Sequence, residues 1–319
     1  MKTIDKINKN ANKQIVFLGS DSPHKDIEPL STGIQALDVA TGIGGFPKGR
    51  ICEIFGLPGV AKTSFALSMI AHQQREGKTC AFVDAECALD MDFAAKLGVN
   101  TDDLIIIQGD CGEENFDAIE ALLRDGAVDF VVVDSVPSMV PRAEIEADVN
   151  KPQMGGQARL IASGLRRIVP LAAKSGAVVL FINQQRINIL GGQYNPYTTP
   201  GGIALKFYTS MRIELKKGSA ISLGSKNIID GYQIKFLFKK NKVGSPSQEV
   251  VADFVFETGF QSTTNLIALC ESKKIVTVDR TGGVFYNGTK IGRGRERTNA
   301  DLESNIELRE ELLKALNSR

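Results

Sequence analysis

The sequence contains no tryptophan, only two histidines, and five cysteines that form no Cys-x-x-Cys pair. Zinc constellations need more ligands of these types at close spacing, so none is expected. The cysteines are predicted to be reduced and mostly buried thiols, as in a cytoplasmic protein. The chain also lacks an apolar run approaching the roughly 18 residues of a membrane span. Its start has no apolar signal-peptide region, so we expect a cytoplasmic protein with no membrane partner.

An excess of charge of one sign is also missing, because 38 Lys and Arg residues face 37 Asp and Glu residues, a net charge of +1. Nucleic-acid binding would therefore depend on local basic surfaces and not on a global positive field. With 319 residues, 43% of them hydrophobic, the chain can bury a full core. One large domain with smaller appendages is predicted.

The most informative stretch lies between an apolar run at 50–55 and a predicted helix at 64–75. Strand, glycine-rich loop and helix in this order form the context of a phosphate-binding P-loop. Backbone N–H groups of such a loop approach phosphate oxygens, Lys62 would contact the β- and γ-phosphates, and the Thr63 hydroxyl would bind Mg²⁺. The predicted nucleotide-binding residues are Gly56, Leu57, Pro58, Gly59, Val60, Ala61, Lys62, Thr63 and Ser64.

Ala61 is a departure from the P-loop pattern, because it stands where a second glycine is expected. If the position needs a positive φ, a Cβ there costs roughly 1 to 2 kcal/mol. Gly59 would absorb part of this strain. The alternative interpretation is a plain strand–turn–helix corner with an incidental Lys-Thr pair.

Further apolar strands are predicted at 79–86, 128–134 and 178–183, alternating with helices at 91–97 and 116–123. This alternation favours an α/β fold with a mostly parallel sheet covered on both faces. Ligands of such sheets bind at the carboxyl ends of the strands. The P-loop and the three polar residues that follow these strands are therefore expected at one edge: Glu86, Asp134 and Gln184.

Each of these three side chains has a chemical interpretation, and Asp134 and Gln184 also have a plainer one. Asp134 would hold Mg²⁺ through water, or it is a turn acid at a strand end. Glu86 would orient and deprotonate the attacking water. Gln184 would sense the γ-phosphate and pass its presence to the loop that follows, or it is an amide that caps that loop.

Two long loops, at 147–156 and 186–202, are expected at the same edge of the sheet. Loops of this length in a compact domain are usually functional or disordered. Arginines at 159, 166 and 186 flank them and would contact phosphates, while Met154, Ile189 and Tyr194 would wedge between or stack on bases. A pair of lids over the nucleotide is the alternative.

Four stretches resemble the RecA family of DNA recombinases: REGKTCAFVDAECALD at 75–90, VVVDSV at 131–136, FINQ at 181–184 and ALKFY at 204–208. The resemblance extends from about residue 30 to residue 292. It implies a RecA-like P-loop ATPase core and an ATP-dependent recombinase that forms filaments on single-stranded DNA. It also implies that Glu86 is the catalytic carboxylate, that Lys62, Thr63 and Asp134 form the ATP–Mg²⁺ site, and that Gln184 is the γ-phosphate switch.

The same resemblance assigns roles outside the P-loop. Asp90 and Phe93 match positions that hold the adenine, with Phe93 where the family commonly has tyrosine. Lys240 and Lys242 match a pair that reaches the ATP of the neighbouring subunit; a solvated basic turn is the alternative. Phe207 matches an interface residue that links neighbouring ATP and DNA sites.

The two loops match the DNA-binding loops of the family. The DNA-contacting residues predicted from them are Met154, Arg159, Arg166, Arg186, Ile189, Tyr194, Gly201 and Gly202. The second loop departs from the pattern, because Gln193 replaces an aromatic residue and Tyr197 stands where an acid is usual. Tyr194 lies beside this replacement. The position of the side chain that would wedge between bases is therefore predicted only to within one residue.

Three domains are predicted: an oligomerisation arm at 1–29, the core at 30–259 and a small C-terminal α/β domain at 260–319. In the arm, Ile4 and Ile7 have helical spacing and 15–18 is predicted to form a strand; the arm is otherwise a disordered tail. The window 272–297 contains seven basic and two acidic residues, which suits capture of duplex DNA, or it is the basic surface of a folding module. A capping box beginning at Thr298 predicts one final amphipathic helix.

The predicted function is therefore an ATP-dependent homologous recombinase, with ATP and Mg²⁺ as cofactors. Its predicted partners are single-stranded DNA, double-stranded DNA and further copies of itself in a head-to-tail filament. Ala61 leaves a non-hydrolysing DNA-binding filament or mediator as an alternative. A ring-forming motor of the helicase type shares the core fold and is the second alternative.

Overall fold

The computed structural model describes residues 2–21, 27–147, 155–187, 197–222, 228–246, 248–261 and 266–317. Its α-helices are α1 (Lys2–Asn10), α2 (Gln35–Thr41), α3 (Lys62–Arg75), α4 (Met91–Lys96), α5 (Gly112–Asp125), α6 (Arg142–Ile145), α7 (Gly156–Ser175), α8 (Gly202–Tyr208), α9 (Leu266–Ser272), α10 (Arg295–Ser304) and α11 (Ile306–Asn317). Two short 3₁₀ helices are Gly19–Asp21 and Val136–Ser138.

The strands are β1 (Pro29–Leu30), β2 (Phe46–Pro47), β3 (Ile51–Gly56), β4 (Cys80–Asp84), β5 (Ile105–Ile107), β6 (Phe130–Asp134), β7 (Val178–Gln184), β8 (Arg186–Ile187), β9 (Tyr197–Thr198), β10 (Met211–Ile221), β11 (Gly231–Asn241), β12 (Glu249–Val255), β13 (Gly259–Phe260), β14 (Val276–Val278), β15 (Gly283–Tyr286) and β16 (Thr289–Arg293).

The central sheet has, among the described residues, nine strands in the order β13-β12-β11-β10-β3-β7-β6-β4-β5. The pairs from β10 to β5 are parallel, and those from β10 to β13 are antiparallel. The predicted α/β fold with a mostly parallel central sheet is confirmed.

Both faces of this sheet are buried, which explains why its strands read as continuous apolar runs. On β6, Phe130 and Val132 pack into a cluster that contains Phe65 of α3. Val131 and Val133 point the other way, into a cluster with residues of α5 and α7 such as Phe116. The two helical layers therefore fix the strands, and with them the loops at the strand ends.

The carboxyl ends of the inner strands meet at one edge. Gly56 at the end of β3 is in register with Gln184 at the end of β7, and Asp134 of β6 is in register with Asp84 of β4. Since these strands are neighbours in the sheet, the P-loop and the polar residues that follow β4, β6 and β7 are assembled side by side.

Residues 266–317 form a small unit that includes the three-stranded sheet β14-β15-β16. This unit has its own hydrophobic core. Leu266 and Cys270 of α9 pack there with Val284 of β15 and Leu312 of α11.

The strand predicted at 15–18 is wrong, since the described residues include no strand there. The backbone N–H groups of Ile15 and Val16 instead donate to Asn8 Oδ1, at 2.8 and 2.9 Å. A strand needs a partner, and the sequence pattern marks only the apolar residues that would face one. The helix predicted from the spacing of Ile4 and Ile7 is present as α1.

The single C-terminal helix is also wrong, because two helices, α10 and α11, are separated at Asn305. Thr298 lies inside α10 and its hydroxyl donates to the Gly294 carbonyl oxygen, at 2.7 Å. A threonine inside a helix can bond back to an earlier carbonyl instead of capping. The capping-box pattern therefore marked the wrong position for the helix start.

Candidate functional site at the carboxyl edge of the sheet

The P-loop backbone follows the geometry that its sequence demands. Ala61 immediately precedes α3 and has φ 58° and ψ 33°, in the left-handed region. Gly59 has φ 72°. Gly56 needs its small size, because a Cβ there would lie 2.4 Å from the Leu215 carbonyl oxygen. The position of Ala61 is therefore one that glycine would adopt without the cost of a Cβ.

Lys62 is the first residue of α3, and its ammonium group turns back over the P-loop. Nζ donates to the Leu57 carbonyl oxygen at 2.8 Å and to that of Gly56 at 3.3 Å. Burial lowers the pKa of Lys62, against the opposing effect of the Asp134 and Glu86 carboxylates. Both of its contacts are to backbone carbonyls that phosphate oxygens could replace.

Thr63 and Asp134 meet directly. The Thr63 hydroxyl donates to Asp134 Oδ2 at 2.6 Å. Burial raises the pKa of Asp134 to about 6, an effect partly offset by the hydrogen bond from Thr63. A hydroxyl and a carboxylate are the oxygen ligands that Mg²⁺ prefers, usually with waters and phosphate oxygens. The residues present therefore fit this ion.

Glu86 lies just beyond the end of β4 and is contacted by residues from two neighbouring strand ends. Its Oε1 accepts a hydrogen bond from the Ser135 hydroxyl, which follows β6. Gln184 Nε2, at the end of β7, donates to the same oxygen at 3.3 Å, and the Ser138 hydroxyl is 3.5 Å away. The carboxylate that the sequence predicts to act on water is thus held beside the predicted phosphate sensor.

Asp84, the last residue of β4, supports this arrangement. Its carboxylate accepts from the backbone N–H groups of Ala88 and Leu89, at 3.1 and 3.3 Å, and from Gln108 Nε2 at 2.9 Å. These bonds fix the turn that carries Glu86.

Asp90 and Phe93 stand at the start of α4. Asp90 Oδ1 accepts from the backbone N–H of Phe93 at 3.0 Å, so the aspartate is the N-cap of this helix. Phe93 is half-buried against the core. Their role toward adenine stays a prediction.

The roots of the two long loops reach the same edge. Gln157, in the first turn of α7, donates to the carbonyl oxygens of Val136 and Pro137, at 3.0 and 2.8 Å. These carbonyls lie beside Ser135, a partner of Glu86. Gln184 lies two residues before the second loop. Glu86 is therefore in contact with the segments that hold the ends of both loops.

The predicted DNA-contacting residues divide between described and undescribed positions. Met154, Ile189 and Tyr194 lie outside the described residues. Arg159, Arg166 and Arg186 are exposed, and the first two are two turns apart on one face of α7.

Gly201 and Gly202 are described and have φ of 88° and 71°. A Cβ would lie 2.8 Å from Val136 Cγ1 at Gly201 and 2.8 Å from Ala158 Cβ at Gly202. Gly202 thus allows α8 to pack closely on α7, and Gly201 allows the start of α8 to lie against Val136. The contact of both glycines with DNA stays a prediction.

Lys240, Lys242 and Phe207 are brought together at the carboxyl end of α8. Lys240 Nζ donates to the carbonyl oxygens of Lys206 and Phe207, at 2.6 and 3.1 Å, and Lys242 Nζ donates to that of Phe207 at 3.2 Å. Burial and the neighbouring Lys242 lower the pKa of Lys240 to about 8. The Phe207 ring is 67% exposed. The two lysines are therefore bound to the end of a helix, and their action on a neighbouring nucleotide stays a prediction.

Comparison with known families decides the affiliation of this fold and site. The sequence profile described as the RecA N-terminal domain matches residues 1–261. The chain belongs to the RecA family. A protein named Protein RecA from Ehrlichia canis is 45% identical over 287 residues, which is 90% of this chain and 79% of that protein.

Similar relatives carry the same name. Protein RecA from Wolbachia pipientis subsp. Culex pipiens is 42% identical over 310 residues, 97% of this chain and 86% of that protein. Protein RecA from Cereibacter sphaeroides is 43% identical over 292 residues, 91% of this chain and 84% of that protein. The prediction of a DNA recombinase of the RecA family, with a P-loop NTPase fold, is confirmed.

Within the described ranges, no helix combines the length and the apolar character needed to cross a bilayer. Ser135 and Ser138 are contacts of Glu86 that the sequence analysis did not identify. Ser135 directly follows Asp134 in the VVVDSV stretch, so the motif itself contained the signal.

Proposed function

We propose that this RecA-family chain is a DNA-dependent ATPase that forms helical filaments on single-stranded DNA and catalyses homologous pairing and strand exchange. One observation supports this most: Glu86 is hydrogen-bonded to Gln184 and Ser135 at the same sheet edge where Thr63 meets Asp134. A predicted water-activating carboxylate, a predicted phosphate sensor and a predicted Mg²⁺ site are thereby joined to the roots of both DNA-binding loops.

ATP would be bound by the loop from Gly56 to Ser64. Its backbone N–H groups and the N-terminus of the 14-residue helix α3 would receive the phosphates. Lys62 would leave its two carbonyl partners for phosphate oxygens. Thr63 and Asp134 would hold Mg²⁺, which neutralises phosphate charge when bound.

Hydrolysis would depend on Glu86 and Gln184. Glu86 would accept a proton from the attacking water, which requires the carboxylate within hydrogen-bond reach of that water. Gln184 would exchange its bond with Glu86 for one with the γ-phosphate. Because the second loop begins two residues after Gln184, this exchange would report the nucleotide to the DNA-binding residues.

DNA would be bound by the two loops, with phosphates contacted by Arg159, Arg166 and Arg186. Met154, Ile189 and Tyr194 would contact bases, and Gly201 and Gly202 would bring the backbone close to the strand.

The filament would be built head to tail. Lys240 and Lys242 would act on the nucleotide of the adjacent protomer, and the exposed Phe207 would pack at that interface. Residues 1–29 would serve as an arm that docks on a neighbour. Residues 260–319 would capture duplex DNA through the basic surface between residues 273 and 297.

Phosphate release from ATP, measured with and without single-stranded DNA at two salt concentrations, tests this function. We expect release that DNA stimulates and that Glu86→Gln abolishes. Glu307→Gln, which changes an exposed glutamate of α11, is the matched control and should behave as the unmodified protein.

Two other results would point to the alternatives. ATP-dependent DNA binding that weakens with salt, without phosphate release, indicates the non-hydrolysing filament. Closed rings instead of open filaments under the electron microscope indicate the ring-forming motor.

A further inference from the structure

A charged cluster without a role in the proposed ATP chemistry lies next to the described ends of the second predicted DNA-binding loop. Its centre is Glu53, in the middle of β3 and three residues before the P-loop begins at Gly56. The Glu53 side chain is 0% exposed. Burying an ionised carboxylate in this way costs free energy unless charged or hydrogen-bonding partners compensate it. The partners of Glu53 therefore indicate its structural role.

The partners of Glu53 come from the two strands that flank β3. Arg212 of β10, in register with Glu53, donates from Nε to Glu53 Oε2. Asn183 of β7 donates from Nδ2 to Glu53 Oε1 at 2.9 Å. The carboxylate is thus held from both sides across three neighbouring strands.

These partners also hold both ends of the loop at 186–202. Asn183 Oδ1 accepts from the backbone N–H of Gln184 at 2.9 Å, and Asn183 Nδ2 donates to the Pro200 carbonyl oxygen at 3.0 Å. Arg212 Nη2 donates to the Thr199 hydroxyl at 3.4 Å. Gln184, two residues before the loop, and two residues near the end of the loop are therefore linked through Asn183 and Arg212 to one buried acid.

Sheet stability alone does not call for this arrangement. Well-packed apolar side chains of similar volume often stabilise a protein as much as a buried ion pair does, or more. Apolar side chains would not make directional contacts. The planar guanidinium of Arg212 and the amide of Asn183 do, and they fix the loop ends at set distances and angles. The hydrogen bonds therefore specify the positions of the two loop ends.

We propose that Glu53, Arg212 and Asn183 form a positioning cluster that fixes both ends of the loop at 186–202 and sets Gln184 beside Glu86, so that DNA binding by the loop responds to the nucleotide. This inference rests on the proposed function, because it assigns how the nucleotide site and the DNA-binding loop of that function are joined. None of the three side chains touches the reacting atoms; they act through Gln184 and through the loop.

The test measures two affinities in each variant: that for a fluorescently labelled dT oligonucleotide with a non-hydrolysable ATP analogue, and that for a fluorescent ATP analogue without DNA. Glu53→Gln and Arg212→Met are expected to weaken DNA binding about tenfold, within the range of coupling changes seen for residues that touch neither ligand. Nucleotide affinity should stay within about twofold of the unmodified value. Arg212→Lys keeps the charge without the planar fork of the guanidinium. It should therefore lose less DNA affinity than Arg212→Met does, but still bind DNA more weakly than the unmodified protein.

Thr199→Val keeps the test decisive if the buried variants fold poorly, since it removes one hydroxyl and conserves shape. A smaller loss of DNA affinity is expected, again with nucleotide affinity retained. Glu120→Gln is the matched control: Glu120 is a largely buried carboxylate that pairs with Arg167 on the α5–α7 surface, away from the loop. It should lower the thermal unfolding midpoint without changing DNA affinity.

The outcomes distinguish a failure of the positioning cluster from a failure of the proposed function. If the unmodified protein shows no nucleotide-dependent DNA binding, the proposed function fails and the inference fails with it. If the unmodified protein binds but Thr199→Val and the buried variants that fold keep its DNA affinity, the inference alone is overturned. A parallel loss of nucleotide and DNA affinity would also overturn it, since that is the signature of a purely structural pair.

Discussion

Ala61 shows how one residue can depart from a motif while its backbone keeps the motif's geometry. It retains the left-handed conformation, with φ 58°, that the P-loop turn needs. The strain of its Cβ, about 1 to 2 kcal/mol, is compensated by the rest of the fold. At the residue scale, the departure is therefore a cost in stability and not a different loop.

Replacing Ala61 with glycine should remove this strain. We expect Ala61→Gly to raise the free energy of unfolding by about 0.5 to 1 kcal/mol, because the relief of strain exceeds the entropy that glycine adds to the unfolded chain. Urea denaturation measures the change. Ala121→Gly, on the exposed face of α5, is the control and should lower stability by about 1 kcal/mol. A destabilised Ala61→Gly would show that Ala61 is not strained.

Asp38 permits a test of pH dependence. It is buried and accepts from the Ser31 hydroxyl, the Thr32 hydroxyl and the Thr32 N–H, at 2.6, 2.6 and 2.8 Å. Burial raises its pKa to about 6, so its stabilising contribution is full below its unfolded pKa and is lost as pH rises through 6. His72, 3.1 Å from the Ser31 hydroxyl, has a pKa lowered by burial, so its contribution is lost as pH falls.

Comparing Asp38→Asn with the unmodified protein separates these opposing effects. Between pH 5 and pH 7.5 the unmodified protein should lose about 1 kcal/mol relative to the variant. The measurement is urea denaturation across that pH range, and Asp102→Asn, at an exposed aspartate, is the control. A constant difference between protein and variant would contradict the assignment of this titration to Asp38.

At the scale of elements, α8 combines two exposed apolar side chains with a carboxyl end that two lysine side chains contact. Ile203 and Phe207 are one turn apart and are 69% and 67% exposed. Residues four apart lie on one face of a helix, so the helix presents an apolar stripe. The ammonium groups of Lys240 and Lys242 hold the other end of the helix, where the carbonyl dipoles favour cations.

Truncating the stripe should weaken assembly. We expect Phe207→Ala to cost about 2 kcal/mol or more per interface, as for aromatic anchors at interfaces, and to shift filaments toward short oligomers in sedimentation velocity runs. Ile306→Ala, at an exposed isoleucine of α11, should leave the distribution unchanged. Filaments of normal length from Phe207→Ala would remove this residue from the interface.

The elements also show what the sequence could and could not predict. The strands ending at Gly56, Asp134 and Gln184 were predictable because a local apolar run and its terminal polar residue carry the signal. The contact of Glu53 with Arg212 joins residues 159 positions apart, so no local sequence pattern predicts it. Helix α7 was not predicted: it begins at Gly156 and contains Pro170, two residues that argue against a helix when read without their tertiary surroundings.

At the scale of the whole molecule, the basic surface of the C-terminal unit is partly neutralised within the protein. Arg295 pairs with Glu271, at 2.7 and 3.0 Å, whereas Lys290 and Arg293 are exposed on β16. Of the exposed basic side chains in this surface, two therefore lie on the small sheet, and Arg297 lies on α10. A duplex captured by this unit would face β16.

Removing those two charges should affect only the binding of duplex DNA. We expect Lys290→Ala with Arg293→Ala to weaken duplex binding and to reduce the slope of log affinity against log salt by about 2. Phosphate release stimulated by single-stranded DNA should not change. A double variant of exposed basic residues elsewhere, Arg124→Ala with Lys235→Ala, is the control for net charge. Equal loss in both double variants would show that charge and not position matters.

The attachment of Lys240 and Lys242 to their own α8 has a consequence for the ends of the proposed assembly. At one terminus these lysines have no neighbouring nucleotide to reach and keep their carbonyl partners. At the opposite terminus a nucleotide site receives no lysines. An assembly of n protomers therefore contains n nucleotide sites but only n − 1 complete ones. Turnover per protomer should accordingly rise with length and level off, which makes the specific activity of this protein a measure of its length distribution.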